Sequence, residues 1–491
     1  MRFLSSALFA VTLAQPLLAQ GSTGPAPTLS LEEAITLARQ NNPTHRQSLN
    51  QRTRAAAQQR AASGALLPSL STSFGTGYRE GRPQQFGGIS FGSSSATLGS
   101  SFGFDVAANY SGATLMAPKV ARANTEATEA DIGASDQTLR TGVAQQYIAA
   151  LSAEATSSLQ DTLVASAVQQ HELARARAAA GAATQLDVQR AQVQLGQAEV
   201  ARIRAQNTAA IEKLRLFQLM GVDQPANVRL TTRFAVEAPG FSLENVLQQA
   251  RTQNPVLLSA RAREDASAVG VRQARSEYTP SLRLSAGIGG FTNKITDEGS
   301  FTNGALRNAR GECLSVEQFK ALAGQPNNPA ACAAQALSTD QQASVQRQIS
   351  ANRSYPFDFT RDPYTLNAQL SFPIFNGFQR EQRVQEARAA KSDAQYSVRA
   401  QELRLTADVT AAYLTLSANH RAIAIQQQNV LTARQALALA EERYRVGANT
   451  FLDVTQARSD YVRAETEHLS AIYEYHRAFA ALESAVGRPL R

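Results

Sequence analysis

The side chains that could support catalysis or bind a metal are scattered through this chain. The five histidines lie far apart, at His45, His171, His420, His468 and His476. The stretch HELAR, which begins at His171, lacks the second histidine of a zinc-protease helix. The stretch GIGG, which begins at Gly287, falls inside an alternating strand pattern and favours close packing over a phosphate-binding loop. We expect no catalytic residue, cofactor, metal site or enzyme activity.

Two turns far apart in the chain carry the same acidic motif. GAATQLDV begins at Gly181 and GANTFLDV begins at Gly447. Each glycine can take the positive φ of a helix C-terminus, and each threonine precedes its aspartate by the spacing of a helix-capping box. Capping is therefore one complete explanation of Asp187 and Asp453, and a role in function is the other.

The two turns belong to a repeat that covers most of the chain. Ser30, Pro43 and Pro68 recur as Ser242, Pro255 and Pro280, whereas Tyr147, Gly181, Asp187 and Gly221 recur as Tyr413, Gly447, Asp453 and Gly487. The two copies span about residues 28–236 and 241–491. The shift grows from 212 to 266 residues, so the second copy holds 54 extra residues, between Leu282 and Phe375.

The composition is typical of long helices packed through small side chains. Hydrophobic residues make up 43% of the 491, with no Trp and only three Met. The net charge of +8 is spread along the chain and forms neither a basic patch nor a basic tail. This distribution argues against nucleic acid as a partner.

The first nineteen residues are typical of a secretory signal peptide. Arg2 precedes an apolar run that ends in LLA, which suits cleavage after Ala19. A membrane anchor is the alternative, but polar residues and Pro16 interrupt the run before it reaches the ~20 apolar residues of a spanning helix. In an exported chain, the lone pair Cys313 and Cys332 predicts a disulfide, with two free thiols as the alternative.

Four stretches alternate apolar and polar residues with a period of two, at about 66–80, 95–110, 280–292 and 364–376. Their length suits tilted membrane-spanning strands, and a small soluble β-sandwich is the alternative. Four strands cannot close a barrel, and open edges are not viable in lipid. A membrane barrel would therefore need several copies, with 8 strands from two chains or 12 from three.

Helices are expected around these strands. One begins at Ser30, where Glu33 completes a capping box, and runs to about Ser63; its counterpart runs from Ser242 to about Arg275. Two helical hairpins follow the strand pairs, at about 113–220 and 378–486. The incoming arm of each hairpin would reach roughly 90–100 Å.

A helix of that length needs neighbours that cover its apolar side. Val430, Leu437 and Tyr444 recur every seven residues, with Ala433 and Ala440 between them. This spacing predicts a coiled-coil seam of large and small residues.

The order of these motifs resembles the TolC family of outer-membrane factors. The resemblance rests on SLEEAI...NNP, LPSL, FPIFNG and the twin G-x-x-T-x-L-D-V turns, and it covers essentially the whole mature chain. It implies an α+β membrane protein in the outer membrane of a Gram-negative-type cell. Three chains would form one twelve-stranded outer-membrane β-barrel, with four strands per chain, continued by a long periplasmic α-helical barrel.

The resemblance also implies a function and partners. The protein would be the channel component of a tripartite efflux or type I secretion system. It would be a passive duct that a periplasmic adaptor and an inner-membrane pump open. Its partners would be a periplasmic adaptor, an inner-membrane pump of the RND, ABC or MFS type, outer-membrane lipid and two further copies. The alternative is a soluble periplasmic or cell-surface coiled-coil scaffold. Such a protein would have the long helical hairpins but would not need four alternating strands.

The turns at the ends of the hairpins would contact the adaptor in this family. The corresponding residues here are Gly181, Thr184, Gly447, Asn449 and Thr450.

The family's periplasmic gate matches this chain only in part. The resemblance carries over to Asp453, and to Tyr444 and Asp187, a pair that helps hold the tip shut. The second acid of the aspartate ring falls on Gln456, and the expected arginine falls on Asn449, which cannot form a charge-assisted hydrogen bond. We therefore expect a less firmly latched tip, or one latched by other residues.

The extra residues of the second copy should form an extracellular loop at about 293–362. It joins two strands at the end opposite the helices. A bridge from Cys313 to Cys332 inside it would contribute roughly 3 kcal/mol to stability.

Overall fold

A computed structural model describes residues 27–81, 84–86, 89–91, 95–225 and 227–490. The expected signal peptide at 1–19 lies outside these residues.

Long helices dominate the described chain. The helices are α1 (Leu31–Asn41), α2 (Pro43–Gly64), α3 (Gly112–Ala179), α4 (Gln185–Met220), α5 (Leu243–Gln253), α6 (Pro255–Ser276), α7 (Gly299–Leu322), α8 (Thr339–Asn352), α9 (Gln379–Arg445) and α10 (Phe451–Val486). The strands are β1 (Thr28–Leu29), β2 (Ser69–Arg79), β3 (Gln84–Phe86), β4 (Ile89–Phe91), β5 (Thr97–Tyr110), β6 (Arg229–Leu230), β7 (Ser281–Ile295), β8 (Thr360–Arg361) and β9 (Thr365–Ser371).

The chain divides into two compact units. The helical unit takes the described residues of Met1–Arg52, Thr128–Arg261 and Tyr396–Arg491. The strand unit takes those of Thr53–Ala127 and Ala262–Gln395.

The helix expected from Ser30 to about Ser63 is in fact two helices, α1 and α2. The break is at Asn42, whose φ of −60° and ψ of 120° are extended. A residue before proline is disfavoured in the helical region, and Pro43 follows. The same correction applies to the second copy, where Asn254 precedes Pro255.

The repeat is visible in the packing of the helical unit. Val143 and Val409, which correspond in the two copies, are both fully buried in separate apolar cores. The hydroxyl of Tyr147 donates to the carbonyl of Leu29 at 2.7 Å, and that of Tyr413 donates to the carbonyl of Phe241 at 3.4 Å. Both copies therefore fix their first segment to their long helix in the same way.

The main sheet of the strand unit is antiparallel, with strands of unequal length, and β3 and β4 form a separate two-stranded sheet. Strand β5 pairs with β2 on one side and with β7 on the other, and β8 and β9 both pair with the far side of β7. Strand β9 ends at Ser371, short of the expected 376, because Pro373 lacks the N–H that would continue the ladder. Strand β7 runs to Ile295, beyond the expected 292.

One face of this sheet is apolar. Leu70 lies opposite Val106, and Ala286 lies opposite both Val106 and Leu366. Directly opposed residues project to the same face of a sheet. The large side chains on this face that remain exposed are Leu70, Phe74, Tyr78, Phe104, Val106, Leu284, Ile288, Leu366 and Leu370.

The inserted segment, expected as an extracellular loop at 293–362, contains helices, and its place outside the cell stays a prediction. It contains α7, a short 3-10 helix (Pro329–Ala334) and α8. A disulfide joins Cys313 to Cys332, with their Cα atoms 5.6 Å apart. The sequence signal for α8 was the capping box that Ser338 and Gln341 form at its start.

The repeated Asn-Pro step gives a test of the fold. The Asn254 carboxamide donates to the Ala485 carbonyl at 2.8 Å and accepts from the N–H groups of Val256 and Leu257 at 2.9 and 3.0 Å. We predict that Asn254→Ala lowers the free energy of unfolding by about 1–3 kcal/mol, because it removes a cap and leaves a carbonyl unpaired.

Asn254→Ser is the matched control, since its neutral hydroxyl can keep the cap but does not replace the longer carboxamide donor, and its loss should be smaller. Guanidinium denaturation followed by circular dichroism measures both. Equal stability of wild type and Asn254→Ala would contradict this role.

Candidate functional site

The two repeated turns have the same backbone structure. The φ of Gly181 is +73° and that of Gly447 is +81°, in the left-handed region that favours glycine. The N–H of Ala182 donates to the Arg177 carbonyl, and the N–H of Ala448 donates to the Arg443 carbonyl, both at 2.8 Å. These bonds end α3 and α9 in Schellman motifs.

The helices that leave the turns are both capped by threonine and aspartate. The N–H and Oγ1 of Thr184 donate to Asp187 Oδ2 at 3.0 and 2.8 Å. Those of Thr450 donate to Asp453 Oδ2 at 2.9 and 2.8 Å. The Thr450 hydroxyl and N–H favour the ionised carboxylate, and they hold the pKa of Asp453 below its usual range.

Tyr444, on α9, is the centre of a contact between the two hairpins. Its ring is buried, and the guanidinium of Arg177, on α3, lies 4.3 Å from the ring centroid. Arg177 Nη1 also donates to the Tyr444 carbonyl at 2.9 Å. The Phe451 ring packs against Tyr444 at 5.8 Å, edge to face. A cation–π contact and a charge-assisted hydrogen bond therefore act on one residue.

The structure does not join Tyr444 to Asp187 by a hydrogen bond. Among the described residues, the buried Tyr444 hydroxyl has no hydrogen-bond partner. Burial raises the pKa of Tyr444, the charge of Asp187 adds to the rise, and Arg177 opposes it. Asp187 thus influences Tyr444 through charge, while its own Oδ2 accepts from Thr184.

A second polar contact joins the hairpins. Arg458, on α10, donates to the Ser166 hydroxyl of α3 at 2.5 Å and pairs with Glu441 of α9. Gln170 of α3 donates to the same Glu441 at 3.1 Å. The Arg458 side chain is 16% exposed and that of Glu441 is 38% exposed, so water screens this ion pair in part.

The remaining residues singled out from the sequence lie on the turns. Gly181, Thr184, Gly447 and Thr450 are exposed, and Asn449 is half-buried. Gln456, which replaces the second acid of the gate, donates to Asp460 on its own helix at 3.2 Å.

Sequence reasoning missed Arg177 and Arg458. A signal for Arg177 existed, because it corresponds to Arg443 in the repeat, both four residues before the glycine of their turn. The copies differ at the next position, where Ala178 corresponds to Tyr444. One copy thus supplies the cation and the other supplies the aromatic ring. Nothing in the sequence pattern indicated that Arg458 would turn toward α3.

A family model described as Outer membrane efflux protein matches residues 34–222 and 314–488, which include both turns and more than half of the chain. The chain belongs to this family. It is therefore an outer-membrane channel protein of efflux or type I secretion systems, as its resemblance to the TolC factors implied.

Individual relatives agree with this assignment. The chain is 22% identical over 459 residues to the outer membrane protein TolC of Vibrio cholerae, which covers 93% of this chain and 90% of the relative. The crystal structure of the outer membrane protein VceC from Vibrio cholerae has a TM-score of 0.67 at 17% identity and covers 94% of this chain and 97% of its own. The open-state structure of the Neisseria gonorrhoeae MtrE outer membrane channel also has a TM-score of 0.67 at 17% identity, with coverage of 94% and 89%.

Within the described part of this efflux protein, no helix has the length and apolar character needed to cross a membrane. Three or more histidine, cysteine or acidic side chains do not meet at any point of the described residues in a way that could hold a metal ion.

The hydrogen bonds of Asp453 predict a pH dependence of its turn. Because its pKa is lower folded than unfolded, the cap contributes fully above the unfolded value of about 3.9 and is lost as pH falls through the folded value. We predict that amide exchange at 447–454, corrected for intrinsic rate, is slow at pH 7 and becomes faster as the pH falls through the lowered pKa of Asp453.

Asp453→Asn is the control for this effect. Exchange in the variant should be faster at pH 7 and should not change further on acidification. Equal protection of the wild-type turn at pH 7 and pH 2 would refute the capping role.

Proposed function

We propose that three copies of this chain form one outer-membrane channel, which a periplasmic adaptor and an inner-membrane pump of the RND, ABC or MFS type open for export. The chain would act as a passive duct, with energy supplied by the pump. The Tyr444 contact between the hairpins would act as the latch of the periplasmic gate.

The proposal rests on the two unpaired edges of the main sheet. Every residue of β2 and of β9 is exposed, and among the described residues neither strand has a partner on its outer side. An unpaired edge cannot remain in lipid, where each unsatisfied N–H or C=O costs several kcal/mol. Pairing the β2 edge of one copy with the β9 edge of the next would remove both edges, and three copies would give the twelve strands of the TolC factors.

The apolar face of the sheet fits a lipid environment. Leu70 is 76% exposed and Leu366 is 73% exposed, and both belong to one continuous face. Contiguous apolar area of this kind is rare on monomeric soluble proteins. This face therefore disfavours the soluble coiled-coil scaffold, which the long helical hairpins alone would permit.

The latch would replace a contact that this chain lacks. The resemblance to the TolC factors implies an arginine at the position of Asn449. Arg177 supplies a cation from the other hairpin and clamps Tyr444 through its ring and its carbonyl. The hydrogen bonds from Arg458 to Ser166 and from Gln170 to Glu441 would hold the same two hairpins together farther along the helices.

The exposed turns would be the contact surface for the adaptor. Gly181, Thr184, Gly447 and Thr450 are accessible, with Asn449 between the last two. An adaptor that binds these turns would act directly on the residues that end α3 and α9, and so on the helices that carry Arg177 and Tyr444. In three copies, the exposed Asp453 carboxylates would add negative charge at the same end.

Membrane extraction tests the proposed channel. We predict that the protein resists extraction by 1 M salt or carbonate and is released by detergent, with a mass three times that of the chain after correction for bound detergent. The unpaired edges and apolar face are the physical reason. A scaffold would be released by salt or carbonate as a water-soluble species, and that result would exclude the channel.

Planar-bilayer recording tests the latch. We predict that Arg177→Ala raises the conductance or open probability of the resting channel several-fold, because Tyr444 loses its cation and its carbonyl loses a donor. Arg177→Lys should give an intermediate increase, since it keeps the charge but not the planar stacking.

Arg443→Ala is the matched control, because Arg443 is the repeat equivalent of Arg177 and is exposed. It should conduct like the wild type. Equal conductance of Arg177→Ala and Arg443→Ala would show that the Tyr444 contact does not latch the channel.

A further inference from the structure

A short segment of the insertion crosses the sheet of its own chain. We call residues 354–361 the strap. The Tyr355 hydroxyl lies 3.1 Å from Thr76 Oγ1 and accepts from Ser100 Oγ at 2.9 Å. The Phe359 ring packs edge to face against Phe102, with centroids 5.0 Å apart. The strap therefore reaches from β7, across β5, to β2.

The strap lies on the apolar face of the sheet. Thr76 is opposite Ser100, and Ser100 is opposite Thr292. Leu70, Val106 and Ala286 lie opposite one another on β2, β5 and β7. Thr76, Ser100 and Thr292 are each six residues from these along the same strands, an even number, so they project to the same face. Ser100 is only 3% exposed and Thr292 only 8%, so β5 and β7 are covered at this level, whereas Thr76 on β2 stays exposed.

The strap lies at one margin of an apolar band, by which we mean the apolar face at the level of Phe102–Tyr110 of β5. Below it, Phe104, Ile288 and Leu366 remain exposed on the same face. The stretch of β5 from Phe102 to Tyr110 rises about 27 Å along the strand, or roughly 20 Å once tilted by about 40°. Outer-membrane barrels carry an apolar band of about 25 Å with aromatic girdles at both margins.

The strap and the adjacent strand carry aromatic and basic side chains, the types found at such a margin. Phe357 is 80% exposed, between Tyr355 and Phe359. Arg361 pairs with Gly290, and Lys294 pairs with Leu98, so both cations project from the same face as the band. Glu298, an acid near Lys294, is already held by Arg353 at 2.8 and 3.0 Å.

We propose that the strap is an anchor in the outer leaflet, with Phe357 among the lipid headgroups and with Lys294 and Arg361 binding the phosphates of anionic lipid. The inference rests on the proposed channel, since it takes the apolar face to be the lipid-facing side of the barrel. Aromatic rings suit the headgroup level because one end is apolar and the other is wet, and Lys and Arg extend their charge toward phosphate. The insertion is thus held against the outside of the barrel wall.

The absence of Trp from the chain permits a direct test. Three variants each carry one indole: Phe357→Trp is the strap reporter, Leu366→Trp is the band reporter, and Leu452→Trp, in the first turn of α10, is the tip reporter. Each is reconstituted as the assembled protein in vesicles that contain lipids brominated near the headgroup or near the chain end. We expect headgroup-level bromine to quench the strap reporter most strongly, chain-end bromine to quench the band reporter most strongly, and neither to quench the tip reporter.

The outcomes separate the strap from the channel. Quenching of the band reporter without quenching of the strap reporter would overturn the anchor and leave the lipid-facing barrel intact. Failure to quench the band reporter would overturn the barrel and the anchor with it. Shielding of the strap reporter from lipid bromine and from aqueous iodide alike would mean that a second copy covers it, which also refutes the anchor.

The two cations are tested with the same reporters. Phosphatidylglycerol should increase the quenching of the strap reporter by headgroup bromine relative to vesicles of phosphatidylcholine alone. In the background of Lys294→Gln and Arg361→Gln this dependence on anionic lipid should disappear, while the band reporter should be unaffected. An unchanged dependence would show that these cations do not bind the lipid phosphates.

Discussion

Backbone hydrogen bonding at the two edges of one sheet is the constraint on which the rest of this protein depends. Strands β2 and β9 each present a row of N–H and C=O groups to the outside. The same sheet presents Leu70 and Leu366 from an apolar face, so water is the wrong solvent for the face and lipid the wrong one for the edges. When copies associate edge to edge, the unpaired backbone groups are paired and the apolar face can lie in lipid. The chain is thus one part of a wall that it cannot close by itself.

Duplication gives the helical unit a nearly symmetric frame with an asymmetric contact at its turns. Both copies use glycine, threonine and aspartate to end one helix and cap the next, and both secure their first segment through a tyrosine hydroxyl. The contact at Tyr444 has no counterpart in the first copy, which has Ala178 there. A clamp of one arginine on one tyrosine joins the hairpins by a small number of bonds. In the proposed channel, this is the contact that the adaptor would have to break.

The sequence predicted features that depend on local pattern. Alternation located the four long strands, and the capping boxes located the starts of α4 and α10 within a residue. The breaks at Asn42 and Asn254 were missed, although Pro43 and Pro255 disfavour a helical conformation at the residue before them and so gave the signal. Arg177 was marked only by its repeat equivalent Arg443, and neither Arg177 nor Arg458 was assigned, since their partners lie on other helices. The strap was beyond sequence reasoning for the same reason: Tyr355 meets Thr76 only after the sheet has formed.

Cysteine cross-linking between the two edge strands tests the central claim most directly. Single cysteines placed along Ser69–Arg79 and along Thr365–Ser371 of the same chain would form bonds only where β2 of one copy lies beside β9 of the next. The account predicts one register of efficient cross-linking, with products that end at a closed ring of three chains. Cross-links confined to single chains, or a ladder that continues past three, would contradict it.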